Sequence, residues 1–315
     1  MTVTRRGGGW PNAIMIGQRA RQVPPAARLL AAVQKIANRD AAPGEIQRLQ
    51  AEARTYGELA LYQRLSSEAA PARSWPYTIT LPVFNRPHAL AQVLESLRTS
   101  FQRLRQKAPA YAASWGLIVA AEPGLPCVQQ ALGVDFMPVR VLVNRELRGL
   151  RANLFQGLDF AFQNGSRFNL HLEDDVVLSP SAFDLVYWYE RTFGHRPRDY
   201  FSYCLFADSV SFPLDASGLR YLKTFEGYGW CVFAEMWHEH FRNNWFVDDG
   251  EPAGWDWQMR RVCERSGMRS LAPCASRSNH IGRHGTYSSP EVYDRRFANV
   301  KMYEADEVHS MDLCE

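Results

Sequence analysis

The strongest constraint on the fold is the alternation of short apolar runs with helical patterns in the middle of the chain. The first run, 77–84, reads YTITLPVF, and similar runs follow at 116–121 and 139–143. The segments 89–104 and 150–163 show the three- and four-residue spacing of amphipathic helices. Strands separated by helices predict a mostly parallel sheet covered on both faces, and therefore an α/β fold.

The N-terminal part of the chain has a different character. It begins with an arm rich in Arg, Gly and Pro, and 26–38 and 44–67 then show the spacing of two amphipathic helices. The segment 69–76, AAPARSWP, changes composition abruptly, and its prolines interrupt helix. We therefore expect a basic arm and helical appendage over 1–75 and a second domain over 76–315. The sequence leaves open whether the helices pack on that domain, pair with a second subunit or hold a ligand.

Composition excludes several classes of protein. The net charge is only +3 over 315 residues, and the six cysteines include no CxxC pair, which fits neither a disulfide scaffold nor a zinc ribbon. No run approaches the roughly 18 to 20 apolar residues of a membrane span, and the N-terminus lacks an apolar signal region. The sequence predicts a cytoplasmic protein with reduced thiols and no membrane partner.

An acidic triplet interrupts one apolar run. In FNLHLEDDVVLSP (168–180), Glu173, Asp174 and Asp175 stand between two apolar segments. Burying such carboxylates without a partner raises their pKa or costs several kcal/mol. Mg²⁺ or Mn²⁺ removes that cost, because either ion binds one or two carboxylates together with phosphate oxygens and water. The triplet therefore predicts a metal site at a strand end, where parallel sheets bind ligands; a solvated acidic turn is the alternative.

Six segments, taken in order, resemble the metal-dependent nucleotide-sugar glycosyltransferases of the GT-A fold. They are TLPVFNRP, a strand ending in Glu122, LHLEDDVVLSPSAFD, GYGWCVFAEMW, GWDWQMRR and SRSNHIGRHG. The likeness is greatest to the N-acetylglucosaminyltransferase I family and its relative that extends protein O-mannose, and it covers roughly Tyr77 to Tyr287. It implies a Rossmann-like sheet with a nucleotide-sugar half at 76–180 and an acceptor half at 181–315. It also implies inverting transfer of N-acetylglucosamine or another hexose from a UDP-sugar to a hydroxyl, assisted by Mn²⁺ or Mg²⁺.

The resemblance assigns roles on the donor side. Asp175 would contact the metal that bridges the donor diphosphate, while Glu173 and Asp174 would support it or contact ribose and sugar. Arg86 corresponds to a basic residue that receives the nucleotide, and Glu122 corresponds to the carboxylate that receives uracil. A solvated turn residue and a loop acid, respectively, are the alternatives for these two.

On the acceptor side, Asp256 corresponds to the catalytic base of the family. An inverting transfer needs a carboxylate that takes the proton of the attacking hydroxyl. The next residue is Trp257 where the family has a second acid, and Asp248 and Asp249 are rival bases. Trp257 and Trp255 would shield the site and stack on sugar faces.

Further site residues are expected in the later motifs. Trp230 in GYGWCVFAEMW would pack on the ligand, with a tight turn before a buried helix as the alternative reading. His280 is a candidate metal ligand or phosphate contact, and Arg283 and His284 are similar candidates.

Three more positions carry weaker signals. Arg148 and Arg151 at a helix start are candidates for donor-phosphate contacts, since helix N-termini favour anions; a surface salt bridge is the alternative for either. His171 lies one strand period from Glu173 and points to the same face, but a core histidine bonded to backbone is the favoured reading.

The acceptor and two other classes of function remain open. A glycan, a peptide, a small metabolite or a hydroxylated DNA base would each offer a hydroxyl, and the Arg-bearing arm keeps a nucleic-acid partner open. A sugar-phosphate nucleotidyltransferase would carry a Gly-rich loop after the first strand, and LPVFNRPHAL has no glycine. A non-catalytic sugar- or nucleotide-binding protein is the third possibility.

Overall fold

The computed structural model describes residues 23–70, 74–207, 218–247, 254–283, 289–303 and 313–314. The helices of this part of the chain are α1 (Ala26–Lys35), α2 (Glu45–Tyr56), α3 (Glu58–Ser67), α4 (Pro87–Lys107), α5 (Pro109–Ala112), α6 (Leu125–Gly133), α7 (Leu150–Gln163), α8 (Ala182–Phe193), α9 (Ala234–Met236), α10 (Trp255–Ser266) and α11 (Pro290–Arg296). Short π and 3₁₀ turns, Trp237–Phe241 and Arg242–Asn244, extend α9. No helix in the described ranges combines the length and the apolar character needed to cross a membrane.

The strands are β1 (Tyr77–Val83), β2 (Trp115–Ala121), β3 (Val139–Val143), β4 (Phe168–His171), β5 (Val176–Leu178), β6 (Tyr203–Cys204), β7 (Leu219–Leu222), β8 (Trp230–Phe233), β9 (Ser270–Pro273), β10 (Ser278–His280) and β11 (Leu313–Cys314). Nine of them form one sheet in the order β11-β7-β9-β6-β8-β4-β1-β2-β3, and β5 pairs with β10 in a separate two-stranded ribbon. The run β4-β1-β2-β3 is parallel, whereas β8 runs antiparallel to both of its neighbours.

Both faces of the parallel part of the sheet are covered by helices. On one face, Leu81 of β1 and Leu117 of β2 share a core with Phe101 of α4. On the other face, Ile118 of β2 packs with Ala161 of α7. Every residue of β1, β2 and β3 is buried, which is why these strands have continuous apolar runs. The expected α/β class, a mostly parallel sheet flanked by helices with an N-terminal helical appendage, is confirmed.

The register of the parallel strands brings the predicted donor-side residues to one edge. Val83 at the end of β1 pairs with Ala121 at the end of β2, and Thr80 of β1 pairs with His171 at the end of β4. The residues that follow these strand ends, Arg86, Glu122 and the acidic triplet, therefore emerge at the same carboxyl edge.

The appendage contains three helices where the sequence predicted two. Gly57 has φ +94° and ψ 155°, a conformation that only glycine adopts readily, and it separates α2 from α3. The helices pack on the sheet domain: Leu61 and Leu65 of α3 belong to the same core as β1 and β2, and Lys35 donates to the carbonyl oxygen of Leu132 at 2.6 Å. The sequence left three arrangements of these helices open, and the structure shows them packed on the following domain.

Because α3 and the sheet share one core, we predict that Leu61→Ala destabilises the whole chain. Leu61 is fully buried, and truncation of such a leucine costs about 2–5 kcal/mol. Chemical denaturation followed by far-UV circular dichroism and tryptophan fluorescence should show one transition at lower denaturant. Leu30 on α1 is 41% exposed, so Leu30→Ala is the matched control and should change stability little. Loss of helical signal in a separate early transition would contradict the shared core.

Candidate active site at the carboxyl edge of the sheet

A cleft of about 1090 Å³ opens at the carboxyl edge of β1, β2 and β4. This volume is at the upper end of the range for small-molecule sites. The cleft brings together most of the residues predicted from sequence. Those that line it are Arg86, Glu122, Glu173, Asp174, Asp175, Trp255, Asp256, Trp257 and His280.

The guanidinium of Arg86 bridges two carboxylates of the acidic triplet. Its Nη1 donates to Oδ2 of Asp175, and its Nη2 donates to Oδ1 of Asp174. Asp174 and Asp175 are only 4% and 2% exposed. Arg86 is held close to them because it ends the β1–α4 turn, where Pro87 begins the helix. We call this arrangement the Arg86 clamp.

The β5–β10 ribbon places His280 beside Asp175. β5 begins directly after the triplet, and His280 pairs with Val176 across the ribbon. The backbone N–H of Ile281 donates to the carbonyl oxygen of Asp175 at 2.8 Å, and Nε2 of His280 lies 3.0 Å from Asp175 Oδ2. Gly282 completes the turn, since a Cβ there would clash with the same carboxylate oxygen.

The three acids differ in their electrostatic surroundings. Burial, and then the charges of Asp175, Asp256 and Asp174, raise the pKa of Glu173 well above its ordinary value. Burial likewise raises the pKa of Asp174 to about 6, in spite of its contact with Arg86. Burial alone would raise the pKa of Asp175 too, but His280 and Arg86 together outweigh it and hold that pKa low. Of the three acids, Asp175 is the one whose pKa lies below its ordinary value.

The chemistry of this cluster fits a divalent cation. Asp175 Oδ1 and His280 Nδ1 are buried and have no hydrogen-bond partner among the described residues. A carboxylate oxygen and an imidazole nitrogen suit Mn²⁺, and a carboxylate suits Mg²⁺. No group of three or more His, Cys, Asp or Glu ligands is arranged around one point in the described ranges. A cation bound here would therefore need other ligands, as ions that also bind substrate phosphates do.

Glu122 fixes the loop that forms one rim of the cleft. Both of its carboxylate oxygens accept from the backbone N–H of Arg148 at 3.0 Å, and Oε2 also accepts from Asn144 Nδ2 at 3.2 Å. The side chain is 3% exposed. Its hydrogen bonds give Glu122 a clear positioning role, and the predicted contact with uracil stays a prediction.

Asp256 lies in the first turn of α10 and faces the cleft. A Cβ on Gly227 would meet Trp255 at 3.1 Å and the Cβ of Asp256 at 3.6 Å, so the chain before β8 passes very close to this turn. Trp255 is buried beneath Asp256, whereas Trp257 is 53% exposed. Asp256 and Glu173 line the same cleft, and the charge of Asp256 contributes to the raised pKa of Glu173.

Other residues singled out from sequence lie outside the cleft lining. Trp230 is fully buried and stacks on Phe241, with ring centroids 5.2 Å apart. The guanidinium of Arg151 donates to the carbonyl oxygen of Trp245 at 2.7 Å, and Arg148 is exposed. No described contact of these residues supports the ligand roles predicted for them. The rival bases Asp248 and Asp249, and His284, lie outside the described residues.

The structure also places two weaker candidates from the sequence, His171 and Arg283. His171 is buried, with Nδ1 2.9 Å from the hydroxyl of Thr80, and burial lowers its pKa to about 3. It is therefore a neutral core histidine, as favoured from sequence. Arg283 pairs with Asp294 at 2.8 Å on the exposed surface.

Sequence reasoning missed several residues of the cleft lining, five of which matter for its chemistry. They are Tyr228, Arg260, Arg295, Arg296 and Phe297. Tyr228 and Arg260 stand inside the quoted motifs, so only their side-chain chemistry was overlooked. Arg295, Arg296 and Phe297 follow the last motif, and nothing in their local pattern distinguishes them from a surface helix.

Comparisons with known proteins find only loose similarity. No family model matches the chain. Solved structures with a similar fold include Staphylococcus aureus TarS 1–349 (TM-score 0.46, 9% identity, 66% of this chain and 60% of that one). The same protein in complex with UDP-GlcNAc matches with TM-score 0.45 and 10% identity, over 70% and 64% of the two chains.

The mannosyltransferase PcManGT from Pyrobaculum calidifontis, in complex with GDP-Man and Mn²⁺, matches with TM-score 0.44 and 13% identity over 78% and 66% of the two chains. The present chain thus spans between 60% and 66% of the length of these proteins. At such scores and identities the similarity assigns no function to this chain.

The crowding of carboxylates predicts a pH-dependent gain in stability for Glu173→Gln. The folded-state pKa of Glu173 is raised, so the native state resists ionisation and loses stability as pH rises above the ordinary glutamate value. Glutamine removes that loss. In metal-free buffer we expect Glu173→Gln to raise the free energy of unfolding by about 1 kcal/mol or more at pH 8, and by less at pH 5.

Denaturant titrations at the two pH values measure this difference. Glu95→Gln, an exposed acid on α4, is the control and should show no such pH dependence. A loss of stability at pH 8 for Glu173→Gln would mean that its charge is favourably paired.

Proposed function

We propose that this protein is an inverting, metal-dependent glycosyltransferase of the GT-A type that uses a UDP-sugar. One observation carries the proposal: Asp175 is buried beside His280 and Arg86, which hold its pKa low, and it faces a cleft that also contains Asp256. One of its carboxylate oxygens has no hydrogen-bond partner among the described residues. A cation site beside a separate carboxylate base is what this transfer chemistry requires. The ordered motifs of the sequence support the same reading.

Asp175 and His280 would hold the cation, Mn²⁺ or Mg²⁺. When bound, it would stabilise the negative charge that develops on the diphosphate leaving group. Glu173 and Asp174, with their raised pKa values, would lose part of their mutual repulsion near such an ion. Arg86 would then release Asp175 and offer its guanidinium to the donor phosphates, since Arg binds phosphate through two parallel hydrogen bonds.

Asp256 would act as the base toward the acceptor. Its carboxylate would take the proton of the acceptor hydroxyl while the hydroxyl oxygen forms a bond to the anomeric carbon. The bond between that carbon and the diphosphate oxygen breaks, and its electron pair leaves with UDP. Attack from the side opposite the leaving group inverts the configuration. The reaction would take place in the cytoplasm, where the buried thiols of Cys127, Cys204, Cys231 and Cys263 stay reduced.

We predict that Asp256→Asn separates binding from turnover. The amide keeps the size of the side chain but cannot accept a proton, so release of UDP from UDP-GlcNAc should fall by about 10²–10⁴-fold. Affinities for UDP and Mn²⁺, measured by isothermal titration calorimetry, should stay within about twofold of wild type because Asp256 contacts neither in this account. Unchanged turnover would remove Asp256 from the mechanism, and loss of UDP affinity would assign it to the donor site.

The Arg86 clamp predicts competition between the guanidinium and the cation. In Arg86→Gln, the guanidinium no longer contacts the carboxylate of Asp175, which is then open to a cation. The affinity for Mn²⁺ in the absence of nucleotide should therefore rise by about tenfold. The metal-free protein should be less stable by about 1–3 kcal/mol, because two buried carboxylates lose their counter-ion. Electron paramagnetic resonance of free Mn²⁺ and denaturant titration in chelator measure the two effects.

Arg98→Gln is the matched control for this experiment. Its side chain is 34% exposed against 33% for Arg86, and it also pairs with an acid, Asp135. Since Asp135 is 72% exposed, loss of the pair should cost about 1 kcal/mol or less and leave Mn²⁺ affinity unchanged. A fall in Mn²⁺ affinity for Arg86→Gln alone would show that Arg86 supports the ion and does not compete with it.

A further inference from the structure

Arginines line the wall of the cleft on the Asp256 side. Arg260 comes from α10, and Arg295 and Arg296 come from the end of α11. We call these three residues the arginine cluster. Nη2 of Arg260 lies 2.6 Å from one oxygen of Glu226, and Nη2 of Arg296 lies 3.4 Å from the other. Arg295 is exposed, and Arg261 also lines the cleft. Against these four arginines the described residues of this wall carry two acids, Glu226 and Asp256, so positive charge is in excess.

The two inner arginines are held in place by more than their shared acid. Nε of Arg260 donates to the carbonyl oxygen of Phe225 at 3.1 Å, and its guanidinium lies 4.9 Å from the ring centre of Trp257. The guanidinium of Arg296 lies 5.5 Å from the ring centre of Tyr228. Side chains restrained in this way lose little freedom when they bind a ligand, which favours a recognition role.

Phe297 lies next to both the arginine cluster and the predicted donor site. Its ring lies 4.9 Å from that of His280 and 5.4 Å from the guanidinium of Arg296. Asp175 and the proposed cation lie beside His280, whereas Arg260 lies one helical turn from Asp256 on α10. A donor diphosphate bound through the cation would therefore leave the arginine cluster to the acceptor.

Resting on the proposed function, we infer that the acceptor is a phosphorylated sugar or polyol whose phosphate binds Arg260 and Arg296. A phosphate offers three peripheral oxygens and accepts parallel hydrogen bonds from more than one guanidinium. Exposed Trp257 beside Arg260 offers a ring face to the sugar or polyol carbons. The phosphate takes no part in bond making; it fixes the acceptor so that its hydroxyl meets Asp256.

The test measures binding to protein already saturated with UDP and Mn²⁺, so that the donor site is filled. Glucose 6-phosphate and glycerol 3-phosphate are titrated by calorimetry, with glucose and glycerol as neutral partners. We expect each phosphate to bind at least about tenfold more tightly than its neutral partner, because hydrogen bonds between charged groups are stronger than those between neutral groups. Binding of neither phosphate overturns the inference.

Three variants locate the phosphate. Arg260→Gln and Arg296→Gln should each weaken phosphate binding by about fivefold or more, and Arg295→Gln by less, while UDP affinity stays within about twofold of wild type. Arg295 is exposed, so its variant keeps the test informative if an inner variant unfolds, as checked by thermal melting. Arg105→Gln, an exposed arginine on α4 outside the cleft lining, is the control.

The remaining outcomes separate this inference from the proposed function. An equal loss of UDP affinity in the Arg260 and Arg296 variants would assign the arginine cluster to the donor and overturn the inference. A single-stranded DNA oligonucleotide that binds more tightly than both small phosphates would also overturn it. Absence of UDP and Mn²⁺ binding at the outset contradicts the proposed function itself, whereas loss of phosphate binding alone concerns only the acceptor.

Discussion

The contact between Arg86 and the carboxylates of Asp174 and Asp175 is the interaction on which the rest of the site depends. Two carboxylates at 4% and 2% exposure could not stay in this fold without a positive partner. Arg86 supplies the charge from the first strand's turn, and His280 supplies a hydrogen bond from the ribbon. The cleft can therefore form without an added ion, and the same acids remain available to one.

The cleft contains both acidic and basic groups because two sets of elements contribute to its lining. The ends of β1, β2 and β4 carry Arg86, Glu122 and the acidic triplet, because parallel strands end at the same edge. α10 and α11 contribute Asp256 and the arginine cluster to the lining of the same cleft. A donor that carries a diphosphate and an acceptor that carries its own anion would thus meet different cationic groups, with Phe297 in contact with both His280 and Arg296.

Much of the fold, but only part of the site, follows from local sequence. β3 and α7 have the predicted bounds, since continuous burial and helical spacing leave a clear pattern. The bridge from Arg86 to Asp174 and Asp175 spans 88 and 89 residues, so only the register of β1 with β4 discloses it. Trp230 is of a residue type that often packs on ligands, yet it belongs to a central strand and its ring is buried in the core. The arginines meet at Glu226 only through the packing of α10 and α11, which no local pattern encodes.

The most direct test of this account is a crystal of the protein soaked with Mn²⁺ and UDP and measured at the manganese absorption edge. The account predicts an anomalous peak within bonding distance of Asp175 and His280, with UDP phosphate oxygens on the same ion and the Arg86 guanidinium moved off Asp175 toward the diphosphate. A peak elsewhere, or UDP bound while Arg86 still bridges Asp174 and Asp175, would contradict it.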